Sequence, residues 1–385
     1  MGDISYFDNA ATTFPKPEEV YSFMDRFYRE CGVNVGRGQH KLASKASSLV
    51  GETKALILDL MHAPQKKVVF THTATEALNT ILRGLPMADN YTIYISPFEH
   101  NAVTRVVTHL STQHKLNVQV LAFNKVASTY DLEKIKVQFF ENKPNMVVVS
   151  HASNVFGIVA PIQDICAFSK PYGAINIVDM CQTAGLIDTD LSGKNIDFAV
   201  FAGHKTLYGP LGIAGFICSG QVLLSPLIYG GTGVDSQNQS MPNAVPERFE
   251  AASPNIHAIS GLHAALKWLN QNGIAQIYKT EQQNHQKLLR ILSSYANIRI
   301  LSPTDAKNCI GVVSCVFNGY SSDSIGQILS ENGVAVRTGL HCAPYAHEFL
   351  GTFPAGTVRF SVSYFNTDDD FKLLGKALDY ILENS

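Results

Sequence analysis

The chain has 385 residues, 45% of them hydrophobic and 16% charged, with a formal charge of −2. That content can bury a sizeable core, and the length points to two domains or one large domain with an appendage. The balanced charge, with no Lys/Arg block, excludes a nucleic-acid footprint and a polybasic membrane patch, and no apolar run reaches the length of a membrane span. Met1-Gly2-Asp3-Ile4-Ser5 lacks the basic and apolar regions of a signal peptide, so a cytoplasmic protein is expected. Seven cysteines without a C-x-x-C pair fit a reducing compartment better than a disulfide framework. Cys166, Cys218, Cys309 and Cys315 sit in apolar contexts and read as buried structural thiols.

In chain order, Tyr6–Thr13 is extended chain ahead of Pro15 and Pro17, with a helix starting near Pro17. Asn34–His40 is a Gly-rich loop, and the spaced Leu and Ile residues after it predict a helix from Leu42 to Met61. Val68–Phe70 reads as a strand and Thr71–Asn79 as the opening of a helix. Thr73, Thr75 and Glu76 there suit either ordinary capping or a phosphate held by free backbone N–H groups. Two further strands, Tyr91–Ile95 and Met146–Ser150, end near His100 and Asn154 respectively; His100 by itself suits a helix cap. Ala174–Val178 ends on Asp179, and Phe198–Phe201 delivers His204 and Lys205 before the turn Tyr208-Gly209-Pro210.

This alternation predicts a mostly parallel sheet covered by helices, with Thr75, His100, Asn154, Asp179 and Lys205 at the strand ends where such sheets bind ligands. Ser219–Pro246 reads as a long surface loop. Ile256–Asn272 and Ile274–Tyr295 are predicted helices broken at Asn272-Gly273. A smaller α/β domain follows, with strands near Ile298–Leu301, Ile310–Phe317 and Val334–Val336 and helices after Ser321 and from Thr367. The expected division is an arm over 1–15 that packs on the small domain, a large domain over 16–255 and a small domain over 256–385.

Taken singly, Asp179 or Lys205 would be a cap or a surface ion pair. Together they match the needs of pyridoxal phosphate, an amine for the Schiff base and a carboxylate to keep the pyridine nitrogen protonated. Val336-Arg337-Thr338-Gly339-Leu340-His341-Cys342-Ala343-Pro344 is expected to be a loop. Its polar setting disfavours a buried structural thiol at Cys342. Cys342 with His341 and His347 lacks the remaining ligands of a zinc pattern. As a nucleophile, Cys342 would draw on Arg337 and His341 to favour thiolate.

Several motifs occur in one order along the chain. They are Asp8-Asn9-Ala10-Ala11-Thr12-Thr13, Val178-Asp179-Met180-Cys181-Gln182, Gly203-His204-Lys205, Gly209-Pro210, the Arg337–Cys342 run, and Arg359-Phe360-Ser361. Over nearly its whole length the chain thus resembles the cysteine desulfurase and selenocysteine lyase branch of the class V aminotransferases, fold-type I pyridoxal phosphate enzymes. The resemblance implies a large domain with a seven-stranded-type, mostly parallel sheet and a smaller C-terminal α/β domain. It implies pyridoxal 5'-phosphate held by Ala74, Thr75, His100, Asn154, Asp179, Gln182, His204, Lys205 and, across a dimer interface, Ser253. Substrate contacts implied are Ala11, His40, Asn154, Arg337 and Arg359, the last gripping the carboxylate. Catalysis falls to Lys205, His100, which stacks on the pyridine ring, and Cys342.

The implied reaction takes L-cysteine to L-alanine with a persulfide on Cys342. A homodimer with shared sites is implied, as is a sulfur-acceptor protein serving iron–sulfur cluster or thio-cofactor synthesis. L-selenocysteine cleavage and amino transfer on a small amino acid are the neighbouring activities; the Asp179, Lys205 and Arg359 set argues against a cofactor-free relative. Thr73, Ala202 and Ser253 depart from the usual family residues and imply weaker cofactor retention.

Overall fold

The structure is a computed structural model that describes residues 4–36, 38–220, 224–234, 237–303 and 308–384. Residues 1–3 of the expected arm, Arg37 of the Gly-rich loop, and positions 221–223 and 235–236 of the long loop lie outside the described residues. Short, mostly apolar runs form a seven-stranded sheet, because strands covered on both faces must be apolar along their length. Its order is Lys67–Thr71, Ala214–Cys218, Phe198–Ala202, Ile175–Asp179, Met146–Ser150, Thr92–Ile95 and Asn117–Val120. Ala214–Cys218 is antiparallel to both neighbours, and the pairs from Phe198–Ala202 onward are parallel.

Alternate residues of each strand face opposite sides. Val68, Phe70, Val147, Val149, Val178 and Phe201 enter one apolar cluster, while Val69, Ile93, Ile95, Val148, Val200 and Phe216 enter another. Helices Ala74–Gly84 and Asn101–Gln113 cover the second face; helices Lys41–Leu60, Leu132–Glu141, Ile162–Ser169 and Ile256–Asn272 bury residues in the first. The antiparallel strand depends on Gly215, where any Cβ would run into the Val69 carbonyl oxygen of the adjacent strand.

The second sheet is antiparallel, ordered Ile298–Ile300, Val312–Phe317, Thr357–Ser361 and Arg337–Gly339. Leu288, Leu292, Ile325, Leu329, Phe371 and Leu378, from helices Ile274–Ser293, Ser322–Glu331 and Asp368–Glu383, pack on it. The N-terminal segment joins this body. Ser5–Tyr6 pairs in parallel with Val334–Ala335, and Phe7 is buried edge-on to Phe360 and Phe371.

One expectation is corrected here. The Arg337–Cys342 segment is not a loop throughout, because Arg337–Gly339 pairs as an edge strand against Thr357–Ser361. Described residues of Ser219–Pro246 contain no helix or strand, as expected. Among the described residues no helix is long and apolar enough to cross a membrane.

Candidate active site

Adjacent parallel strands put Asp179 opposite Val200, and the chain beyond Ala202 then turns to present Lys205. Both side chains line one cavity of about 300 Å³ at the strand ends, together with Ala11, Ala74, Thr75, His100, Asn154, Gln182, His204, Arg337 and Arg359. Asp179 is 8% exposed and its Oδ1 accepts the Cys181 N–H at 2.9 Å. The large sheet, the N-terminal segment and the second sheet together gather twelve of the fourteen residues singled out in the sequence around or next to one cavity, counting Cys342 in the recess described below.

Several of these residues also have local tasks. Thr73, not Thr75, caps helix Ala74–Gly84 through Oγ1 and the Glu76 N–H at 3.1 Å, which leaves Ala74 and Thr75 at the helix start beside the cavity. His100 caps helix Asn101–Gln113, its Nδ1 accepting the Ala102 N–H at 3.0 Å, and still lines the cavity. Burial, then the charge of Lys205, lowers the His100 pKa to about 4, so the ring is neutral with its proton on Nε2. Gln182 Nε2 donates to the Ala10 carbonyl at 2.9 Å. The His204 pKa falls to about 3, from burial first and then Lys205 and Lys16.

The arginine corner of the cavity comes from the small sheet. Arg337 and Arg359 are cross-strand partners, and Arg359 is 1% exposed. Arg359 Nη1 donates to the Asn154 carbonyl at 3.1 Å and Nη2 to Asp8 Oδ1 at 2.6 Å. Asn154 Nδ2 is engaged by the His341 carbonyl at 2.8 Å.

Cys342 is half-buried and lies in adjoining recesses of about 570 and 600 Å³; the first shares Thr75, His100 and Ala102 with the Lys205 cavity. Its Sγ stands 3.5 Å from Arg337 Nη2, and its carbonyl accepts the Asn101 N–H at 2.7 Å. His341 and Cys342 both have positive φ, 47° and 57°, a conformation that costs non-glycine residues and is held here by these contacts.

Expected help to the thiol from His341 is not found. Its ring points inward to Thr357 Oγ1 at 2.8 Å, and burial, with Arg359 adding, pushes its pKa down to about 2, so it brings no positive charge. His347 is buried against Thr352 Oγ1 at 2.8 Å, and no group of three His, Cys, Asp or Glu with metal-binding geometry occurs among the described residues.

Two residues are not brought to the cavity of this chain. His40 is exposed and caps helix Lys41–Leu60 through Nδ1 and the Ala43 N–H at 3.2 Å. Ser253 lies in a separate cleft of about 480 Å³ with Thr232, Phe249 and Ala252. Conversely, Asp8 and Glu99 escaped the sequence reading. Glu99 is fully buried behind Asp179, its carboxyl bonded by Ser96 Oγ at 2.5 Å, Ser150 N–H at 2.6 Å and Ser150 Oγ at 2.8 Å. Burial raises its pKa to about 7. An acid just past an apolar strand was the available signal for Glu99; Asp8 opens the Asp8–Thr13 motif, but its partner lies 351 positions away, so the sequence does not mark the contact.

The residues present fit pyridoxal phosphate. Among the described residues His204 Nδ1 is buried without a protein partner, a state that costs roughly 1–3 kcal/mol and that a bound cofactor phosphate would relieve; Arg359 Nε is likewise unpartnered, and suits the carboxylate of an amino-acid substrate. Both residues line the cavity that holds the amine of Lys205 and the carboxylate of Asp179.

The Aminotransferase class-V family model matches residues 5–374. A probable cysteine desulfurase of Methanothermobacter thermautotrophicus is 31% identical over 387 residues, covering 99% of this chain and 95% of that protein. A probable cysteine desulfurase 2 of Mycobacterium leprae is 30% identical, covering 98% and 92%. Among solved structures, an apo cysteine desulfurase from Thermococcus onnurineus superposes with a TM-score of 0.91 at 27% identity, covering 99% of this chain and 95% of that one. A cysteine desulfurase from Escherichia coli gives 0.85 at 27% identity with the same coverage.

Proposed function

The chain belongs to the Aminotransferase class-V family, and from that membership we propose that it is a pyridoxal phosphate-dependent cysteine desulfurase. It converts L-cysteine to L-alanine and leaves the substrate sulfur as a persulfide on Cys342. The observation that carries this is the cavity itself, where an amine, a buried carboxylate and an arginine pair converge beside a recess containing a thiol.

Pyridoxal phosphate, when bound, supplies an aldehyde for amines and a sink for the electrons released at Cα. Lys205 provides the amine that holds it and, once substrate has taken that place, removes the Cα proton. Asp179 keeps the ring nitrogen protonated. Ala74, Thr75 and His204 are the candidates for its phosphate, and neutral His100 and Gln182 for its ring. Arg359 and Arg337 bind the substrate carboxylate, with Asn154 fixing Arg359 through its carbonyl. Cys342 Sγ, as thiolate beside Arg337, attacks the substrate sulfur. The sulfur–sulfur bond forms as the carbon–sulfur bond breaks; the released electron pair stays with the three-carbon skeleton, which takes up a proton and leaves as alanine.

Ser253 and His40, remote from their own cavity, suit a homodimer in which each copy completes the other's site. The same reading places the protein in the cytoplasm, with an acceptor protein collecting sulfur for iron–sulfur cluster or thio-cofactor synthesis. For the expected division into 16–255 and 256–385, we propose that helix Ile256–Asn272 packs as part of the large unit, a reading supported by its burial of Ile259, Leu262, Leu266 and Leu269 in the large cluster.

The test is incubation of the purified protein with L-cysteine and a thiol reductant. Alanine and sulfide should appear in equal amounts. Amino transfer dependent on a 2-oxo acid, without sulfide, would replace the proposal by an aminotransferase; cleavage of L-selenocysteine alone would replace it by a selenocysteine lyase.

A further inference from the structure

Sheets ordinarily avoid like charges directly across a strand pair, yet Arg337 and Arg359 are such partners. Both line the cavity of Lys205. The Arg359 guanidinium is shut away from water, and among the described residues the one carboxylate against it is Asp8, at 2.6 Å.

Asp8 is held in place by backbone on both sides. Ser361 N–H donates to the Phe7 carbonyl at 2.6 Å, Asn9 Nδ2 to the Ser361 carbonyl at 2.9 Å and Ala10 N–H to Ser361 Oγ at 2.9 Å. Asp8 itself forms a parallel bridge with Ser361, two residues along the strand from Arg359. Tyr6 Oη donates to the Asp8 carbonyl at 3.1 Å. The carboxylate is therefore a fixed fitting of the site and not a mobile surface acid. With Asp8 on Nη2 and the Asn154 carbonyl on Nη1, the Arg359 group left buried without a protein partner is Nε–H.

We propose that Asp8 is a specificity-determining positioning residue. It orients Arg359 so that the Nε–H stays free for the substrate carboxylate, and it cancels one charge of the arginine pair so that the corner accepts one carboxylate and disfavours two. This deepens the reading of Arg359 as the carboxylate clamp and rests on it.

The test compares Asp8→Ala, Asp8→Asn and Arg359→Ala, with the double variant Asp8→Ala/Arg359→Ala, as holoenzymes. Asp8→Ala should raise KM for L-cysteine about tenfold, the worth of a lost charged hydrogen bond, with kcat falling no more than about threefold. Asp8→Asn retains an acceptor oxygen without the charge. It should keep KM within about threefold of wild type while L-aspartate, a dicarboxylate, inhibits several-fold more strongly relative to L-alanine, a monocarboxylate. Asp8→Ala should add nothing when Arg359 is already Ala.

An unchanged KM in Asp8→Ala, against a raised KM in Arg359→Ala, would overturn the role of Asp8 and leave the clamp standing. So would an equal effect of Asp8→Ala in both backgrounds. An unchanged KM in Arg359→Ala would overturn the clamp and Asp8 with it. Should Asp8→Ala fail to fold, the ratio of aspartate to alanine inhibition in Asp8→Asn decides: an unchanged ratio overturns the charge role.

Discussion

Lys205 and Asp179 meet because two parallel strands end side by side, and their chemistry follows from that placement. Asp179→Asn should still bind cofactor but lower kcat by about two orders of magnitude or more, since a neutral amide cannot hold the ring proton on which Cα acidity depends. Exchange of the Cα proton of L-alanine in heavy water measures that step, and a wild-type exchange rate would refute the pairing. Cys342 acts later. Cys342→Ala should abolish persulfide and sulfide from L-cysteine while the absorbance of bound cofactor and the exchange of the Cα proton persist. Retained sulfide production would move the nucleophile elsewhere. Cys315, buried so that its thiol pKa is pushed far up, is no substitute, whereas Cys342 is half-buried next to a guanidinium.

At the scale of elements, strand ends were legible in the sequence where an apolar run stops on a polar residue, as at Ser150, Asp179 and before His204. Ala214–Cys218 was missed because Gly215 and small residues blunt its apolar signal; its place is decided by close backbone approach to Lys67–Thr71. Asn117–Val120, an edge strand with exposed Val118 and Val120, carries too few buried residues to announce itself. Arg337–Gly339 reads as loop because Gly339 and Pro344 mark a turn-forming segment, and only its pairing with Thr357–Ser361 makes it a strand.

That edge is vulnerable at one point. Gly356 has φ +74°, and any Cβ there would collide with the backbone of Gly339. Gly356→Ala should therefore destabilise the protein by about 1–3 kcal/mol and raise KM for L-cysteine by shifting Arg337. A denaturant midpoint and KM equal to wild type would contradict this. Thr367→Ala, which removes a capping box at helix Asp368–Glu383, should cost about 1 kcal/mol and leave KM alone.

For the whole molecule, burial sets the response to acid. It holds His100, His151, His285 and His347 down at about 4, His204 at about 3 and His341 at about 2, against 6.5 for the free side chain. Each takes up a proton more readily when unfolded, so its contribution to stability is full above pH 6.5 and is lost as pH falls from there. Glu99 and Glu281, raised by burial from 4.5 to about 7 and about 8, have the opposite sign: their contribution is full below 4.5 and is lost as pH rises through those values. Six histidines outweigh these acids between about pH 5 and 6.5. The urea midpoint should accordingly be lower at about pH 5 than at about pH 6.5, and an equal or higher midpoint at the lower pH would contradict it.

The segment that carries Asp8 also binds the other end of the site. Thr13 N–H, Thr12 Oγ1 and Lys16 Nζ all donate to the His204 carbonyl, at 3.1, 3.0 and 2.8 Å, and Thr13 Oγ1 donates to the Lys205 carbonyl at 3.0 Å. Asp8 and Arg359 stand 351 positions apart. During synthesis, therefore, Asp8 waits for 351 further residues before it can dock on Arg359. At about 5–20 residues per second, that interval is on the order of tens of seconds. Through it Ser5–Tyr6 has no Val334–Ala335 to pair with, and Phe7 has no core to enter. The large sheet can form first, with Lys205 and Asp179 in place, but Arg359 and Cys342 have not yet emerged. On the proposed reading, the cofactor-holding groups thus precede those for the carboxylate and the sulfur, and a chain stopped short of residue 334 would carry an unfinished cavity with Ser5–Tyr6 exposed for wrong pairing.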